Sequence, residues 1–226
     1  MKINDFFYSL QGEGFLAGVP SVFVRLAGCP LRCRWCDTKY AWDPTAGDNY
    51  TISEIVQSVQ QWKCKHVVIT GGEPMTNPDL PQLVCELKKS RKHITIETAG
   101  IAFMPDMACD LMSISPKLSN STPQDSKFTA VHEDSRLDTA VLGKLINNYK
   151  YQLKFVVNSH NDLPEIQQTI EGIGNVKSQN VMLMPQAGTK DELLSRSPMV
   201  AQMCKQTGFT FCHRLHILFW DDQISV

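Results

Sequence analysis

Short apolar runs alternate along the chain with longer segments in which apolar positions recur every three or four residues. The runs at residues 21–27, 66–70, 93–97, 110–114, 152–157 and 180–184 predict buried strands. Between them, helices are predicted at 52–62, 79–90, 135–149, 162–171 and 190–207. Thr51 with Glu54, and Thr189 with Glu192, have capping-box spacing at two helix starts, and Gly208 closes the last helix. Apolar residues 209–212 and 215–220 finish the chain. Residues 118–134 are polar and follow neither pattern; a lid, a dimer contact or neither would each suit them.

This alternation predicts a parallel α/β sheet. About six units are present, too few for a closed eight-stranded barrel. Yet the strands stop at polar residues: Gly71-Gly72-Glu73-Pro74 after the second, Glu97 and Thr98 at the third, Ser115-Pro116-Lys117 after the fourth, Pro185-Gln186 after the last. Such endings place ligands on one shared face. The expected fold is an open, partial TIM-like barrel of about six βα units, in a single domain over residues 1–226 without repeat or linker. As a plain feature, Gly71-Gly72 is a strand-to-helix turn; as a functional one, it exposes backbone to a ligand and adds the Glu73 carboxylate.

Composition narrows the partners. With 22 Lys and Arg against 23 Asp and Glu, the formal charge is -1, which argues against nucleic acid and against a membrane surface. No stretch approaches the ~18–20 apolar residues of a membrane span, and residues 1–7 lack a signal-peptide run. Within the first strand, Arg25 is the anomaly: a buried guanidinium needs either a protein carboxylate, the commoner case, or an anionic substrate.

The chemistry concentrates at Cys29-Pro30-Leu31-Arg32-Cys33-Arg34-Trp35-Cys36, three thiols spaced Cys-x3-Cys-x2-Cys. Thiolates suit zinc or an iron–sulfur cluster. Structural zinc wants a fourth ligand, and the nearest candidates, Cys64 and His66, are distant. Three thiols on a four-iron cluster leave one iron open for chemistry. Three buried cysteines without metal are the plain alternative. The eight cysteines form no secreted disulfide framework and fit a reducing cytoplasm; Cys64, Cys85, Cys109, Cys204 and Cys212 are simplest as buried apolar residues.

The cysteine motif after the first strand, with Gly71-Gly72-Glu73-Pro74 after the second, resembles the radical S-adenosylmethionine superfamily. Within it, Leu10-Gln11-Gly12-Glu13-Gly14, Gly18-Val19-Pro20, Arg25-Leu26, Gly28-Cys29 and Trp35-Cys36-Asp37-Thr38 are similar to the 7-carboxy-7-deazaguanine synthases, as are Glu97-Thr98, Lys154-Phe155-Val156 and Leu215-His216 further on. The chain departs from that family after Trp220, where Asp221-Asp222-Gln223 stand in place of a glycine- and base-rich tail.

The resemblance implies a [4Fe-4S] cluster on Cys29, Cys33 and Cys36, and S-adenosylmethionine held by Trp35, Gly72, Glu73, Ser115, Pro116, Lys117 and Gln186. A carboxylated tetrahydropterin would meet Leu10, Gln11, Gly12, Glu13, Arg25, Thr70 and His216; His216 suits a core role equally. Thr38 resembles a Mg2+ ligand. The implied reaction starts with hydrogen abstraction from C6 of 6-carboxy-5,6,7,8-tetrahydropterin and ends in ring contraction with loss of ammonia. An electron donor such as flavodoxin or ferredoxin and a homodimer are implied as well. The alternatives are a glycyl-radical-enzyme activase of the same superfamily and a non-catalytic iron–sulfur module.

Overall fold

The computed structural model describes residues 1–226, with every side chain but that of Ser126. One sheet organises it: β1 (Lys2–Leu10), β2 (Pro20–Leu26), β3 (Asp48–Asn49), β4 (His66–Gly71), β5 (His93–Thr98), β6 (Leu111–Ile114), β7 (Tyr151–Val157), β8 (Val181–Pro185) and β9 (Thr210–Phe211). Their spatial order is β3-β1-β2-β4-β5-β6-β7-β8-β9, so the two edges never meet and the barrel stays open. From β2 through β9, leaving out β3, neighbours run parallel; β1 is antiparallel to β2, with Leu10 opposite Pro20.

The six predicted strands are β2 and β4 to β8, each within a residue or two of its expected bounds. The helices are α1 (Ile52–Gln60), α2 (Leu80–Lys89), α3 (Ser126–Ser135), α4 (Thr139–Asn148), α5 (Leu163–Ile173), α6 (Lys190–Thr207) and α7 (Leu215–Trp220). Amphipathic spacing drives them onto the sheet: α2 buries Leu80, Leu83, Val84 and Leu87, roughly 1.5–3 kcal/mol for each side chain. The opposing sheet face supplies Val24, Val67, Ile69, Ile94, Ile96, Leu153 and Phe155.

Four features differ from expectation. β1 is a full strand, although its run Asp5-Phe6-Phe7-Tyr8 shows no clean alternation, because a register shift lies between Ile3 and Asp5. No helix joins β5 to β6; Gly100 at φ 77° and Pro105 break that link. The helix expected at 135–149 is α4, which starts only at its cap Asp138, whose Oδ1 accepts from the amides of Ala140 and Val141, while α3 lies almost wholly in the unassigned stretch 118–134. The Thr51 capping box is complete, whereas at α6 only half forms: Thr189 accepts from the Glu192 amide, but the Glu192 carboxylate accepts from Gly188 instead.

At the carboxyl end of β4 the backbone passes so close to β2 that side chains are excluded. A Cβ on Gly72 would lie 2.0 Å from the Gly28 carbonyl oxygen, and one on Gly71 2.2 Å from that of Leu26. The Gly72 amide donates to Leu26 O and the Glu73 amide to Gly28 O, at 2.9 and 2.8 Å. Gly72→Ala is therefore expected to cost about 3 kcal/mol of stability. Gly143→Ala, in α4 with its nearest neighbour at 3.5 Å, should instead gain about 0.5–1 kcal/mol from helix propensity. Chemical denaturation of the two variants beside the parent checks both signs.

Candidate active site

Strand geometry sends alternate residues to opposite faces. In β2, β4, β5, β6 and β7 one set joins the helix-facing core, and the other set holds Arg25, Thr70, Glu97, Ser113, Gln152 and Lys154. The registers Arg25–Thr70, Glu97–Ser113 and Ser113–Gln152 line these up across the sheet. All of these but Gln152 line a cavity of about 440 Å³, bounded by the cysteine loop, the loops after β4, β6 and β8, the turn after β1 and the carboxyl tail.

The turn Gln11–Gly14 forms the floor. Gln11 Nε2 donates to Glu97 Oε1 at 3.1 Å, the Phe15 amide to Gln152 Oε1 at 2.8 Å and the Gly14 amide to Cys212 Sγ at 3.2 Å, so the turn spans from β5 to beyond β7. Its glycines are steric requirements: a Cβ on Gly12 would meet His216 Nδ1 at 2.0 Å, and one on Gly14 the Gln152 amide at 2.1 Å. Glu13 accepts from Lys154 Nζ at 2.6 Å and from Arg214 Nε at 3.2 Å. Burial alone would raise its carboxyl, but the Lys154 ammonium and the Arg214 guanidinium outweigh burial and hold it far below the usual carboxylate range. Lys154 is raised in return: burial disfavours its charge, and Glu13 and Glu97 more than restore it.

Above the floor, Arg25 has no carboxylate partner among the described residues, so the internal ion pair expected for it is absent. Its guanidinium lies over the rings of Phe7 and Tyr40, at 5.4 and 5.8 Å, with Nε buried and unpaired. Thr70 donates to Glu97 Oε2 at 3.1 Å. His216 packs on Gly12 at the cavity wall, its pKa lowered chiefly by burial.

The cysteine loop forms the roof. Cys29, Cys33 and Cys36 line the cavity beside Leu31, Ala99, Ile101 and Trp35. Burial pushes the Cys29 thiol up to about 12, aided by nearby Glu73, and the Cys33 thiol up to about 11 against the pull of Lys117. A soft metal group bound there would displace those protons. Among the described residues, no three His, Cys, Asp or Glu side chains converge on one ion. A cluster that takes one thiol per iron does not require that convergence. The zinc alternative does, and Cys64 instead bonds Pro20 O at the opposite end of β2.

Residues 118–134 brace this loop: Ser121 O accepts from the Arg34 amide, Asn120 O from Trp35 Nε1, and His132 Nδ1 from the Arg32 amide. Ser121 Oγ donates to Leu118 O, so His132 Nε2 carries the proton donated to Ser121. Because the buried residue of α3 is this histidine rather than an apolar face, the helix leaves no periodic signature.

Glu73 is 2% exposed, and its carboxylate accepts from the Met75 amide, Thr98 Oγ1 and the Ala99 amide at 3.0, 2.6 and 2.7 Å. A carboxylate accepts about four such bonds, which leaves one for a ligand. Burial nonetheless raises its pKa. Ser115, Lys117, Gln186, Trp35, Gly72, Thr38 and Leu10 all line the cavity; Pro116 is buried and does not. Thr38 Oγ1 lies 3.5 Å from Cys36 Sγ. Beyond Trp220, residues 221–226 turn back over the cavity, held by the Lys190 amide on Asp221 and by Ser225 on Asp5. Of the five cysteines expected to be buried, Cys85 proves exposed and Cys109 only half-buried.

The sequence reading missed Glu97, Lys154, Asp37 and Arg214 as site residues. Lys154 and Glu97 had the same signal as Arg25, a charge at an alternate position of an apolar strand; Arg214, in the loop before α7, had none.

An open parallel barrel with three thiols where its strands end defines a radical S-adenosylmethionine enzyme, and the chain matches the Radical SAM superfamily over residues 24–120. It is 41% identical to a 7-carboxy-7-deazaguanine synthase of Halobacterium salinarum over 98% of this chain and 91% of that protein. To the synthase of Rhodopirellula baltica it is 38% identical, over 99% and 88%. The crystal structure of QueE from Escherichia coli superposes with a TM-score of 0.71 at 25% identity, covering 93% of this chain and 92% of that one. The chain belongs to the 7-carboxy-7-deazaguanine synthase family. Among the described residues, no helix is long and apolar enough to cross a membrane.

Glu13 makes the site's stability testable. Its folded-state pKa is lowered, so its contribution is fully present above the ordinary carboxylate value of about 4.3 and is lost as pH falls through the lowered one. Glu13→Gln leaves the buried Lys154 with only the more distant Glu97, at 3.9 Å, and Arg214 with Asp37 alone, and should cost about 3 kcal/mol near pH 7. The gap between parent and variant in urea unfolding should close only under strongly acid conditions.

Proposed function

We propose that this chain converts 6-carboxy-5,6,7,8-tetrahydropterin to 7-carboxy-7-deazaguanine with loss of ammonia, a lyase reaction. The observation that carries the substrate reading is Arg25, a guanidinium facing the cavity without a protein carboxylate. A substrate carboxylate satisfies it through a charge-assisted, bidentate contact. Opposite, Glu97 with Gln11 offers acceptors and a donor to an amino-pyrimidinone edge, while Thr70 orients Glu97. The bare backbone of Gly12 and the ring of His216 complete the wall; the lowered pKa keeps that ring neutral and able to accept or donate one hydrogen bond.

Cys29, Cys33 and Cys36 would hold a [4Fe-4S] cluster, and Trp35, Gly72, Glu73, Ser115, Lys117 and Gln186 would surround S-adenosylmethionine. Bound together, these cofactors supply a 5'-deoxyadenosyl radical on one-electron reduction. The chain's own task is placement: the cysteine loop above, the pterin contacts below and the tail across the opening. The remaining acceptor capacity of Glu73 suits the methionyl ammonium, and Lys117, over the Trp35 ring at 5.7 Å, suits a carboxylate. Mg2+ at Thr38 is compatible with the oxygen set: one hydroxyl, with water and substrate oxygens filling the rest of its shell.

The electron would come from a protein of the flavodoxin or ferredoxin class. A homodimer is supported by the free outer edge of β1 beyond Ile3, flanked by exposed Tyr8 and Phe15. Eight free thiols suit a reducing cytoplasm.

The test is anaerobic turnover of reconstituted enzyme with S-adenosylmethionine, Mg2+, dithionite and 6-carboxytetrahydropterin, followed by mass spectrometry. Formation of 7-carboxy-7-deazaguanine is expected; 5'-deoxyadenosine alone would refute the substrate. Arg25→Met should raise the substrate KM about 10- to 100-fold, the worth of a charged hydrogen-bonded contact. An unchanged KM would remove Arg25 from the substrate site.

A further inference from the structure

Arg214 lies in the loop before α7 and is 8% exposed. Its guanidinium reaches three separate segments: Nε donates to Glu13 Oε1 at 3.2 Å, Nη2 to Asp37 Oδ2 at 2.6 Å, and Nη1 to Ala187 O. Glu13 belongs to the floor turn, Asp37 lies between Cys36 and Thr38, and Ala187 follows Gln186 in the loop after β8. Glu13 is anchored from its other side by Lys154 at 2.6 Å. The Asp37 side chain is 54% exposed, and Arg214 is its only ion-pair partner among the described residues.

We infer that Arg214 is a positioning residue that locks the substrate-binding turn to the cysteine loop, fixing the distance between the reacting pterin carbon and the source of the radical. The inference rests on the proposed function and deepens it. Two observations carry it beyond packing. A buried guanidinium is a poor stabilising device, since an apolar side chain of similar volume often serves a fold as well. A planar fork, unlike an ammonium, can hold two carboxylates and a carbonyl in fixed mutual directions. A reaction that needs its partners in one geometry loses about 10²-fold for a displacement near 1 Å, so a rigid link between floor and roof acts on rate and fidelity.

The experiment compares the parent with Arg214→Met, Asp37→Asn and the double variant, each reconstituted with iron and sulfide. Three quantities are read: the electron paramagnetic resonance spectrum of the reduced cluster with and without S-adenosylmethionine, product formed, and 5'-deoxyadenosine released per product. The expected result is a spectrum that still responds to S-adenosylmethionine, product formation about 10- to 100-fold slower, and a ratio of 5'-deoxyadenosine to product raised at least tenfold. The double variant should be no worse than the poorer single one, because both changes break one link.

An unchanged ratio, additive effects of the two substitutions, or loss of the cluster in Asp37→Asn would each overturn the inference. Should Arg214→Met not fold, Asp37→Asn carries the test at its half-exposed position. A parent that cleaves S-adenosylmethionine without making product refutes the proposed function, and the inference with it. A parent that makes product beside variants with an unchanged ratio refutes the inference alone.

Discussion

A lysine ammonium in the middle of a parallel strand, 3% exposed, demands a carboxylate. Lys154 finds it in Glu13, 141 residues away in sequence. That ion pair organises much of the molecule. To bring Glu13 there, the chain must run β1 antiparallel to β2 and then fold a turn across the polar face from β5 to beyond β7. To fit, the turn must be bare of side chains where His216 and Gln152 approach it, hence Gly12 and Gly14. The turn in turn defines the floor of a cavity whose walls are the alternate residues of five strands.

The roof follows a different rule, that of backbone proximity. Gly71 and Gly72 let the ends of β2 and β4 pass at a distance no side chain permits, and the buried Glu73 carboxylate ties that junction to the end of β5. The cysteine loop leaves from this junction and is held on its outer side by Asn120, Ser121 and His132. Floor and roof are thus built by separate devices, ionic below and steric above. Arg214 joins them directly.

What was legible in the sequence divides along the same line. The strands β2 and β4 to β8, and the helices with apolar stripes, repeat a period that burial imposes, and the cysteine spacing and Gly-Gly-Glu turn are local. β1 was not legible because it packs aromatic residues on both sides and shifts register near Ile3. α3 was not, because its buried contact is polar. Arg25 stood out as a charge in an apolar strand, yet its lack of a partner is a fact of three-dimensional placement, as is the pairing of Lys154, Arg214 and Asp37. Sequence spacing exposes elements and motifs; partners distant in the chain appear only once the sheet is assembled.

In the proposed function, the cavity holds a carboxylated pterin between Arg25 and the Glu97–Gln11 pair. The most direct measurement is an anaerobic crystal structure with the reconstituted cluster, S-adenosylmethionine and 6-carboxytetrahydropterin. The substrate carboxylate is expected on the Arg25 guanidinium, its amino-pyrimidinone edge on Glu97, and the Glu13–Lys154 pair intact beneath it. A substrate bound elsewhere, with Arg25 turned to a carboxylate of the protein itself, would contradict that function.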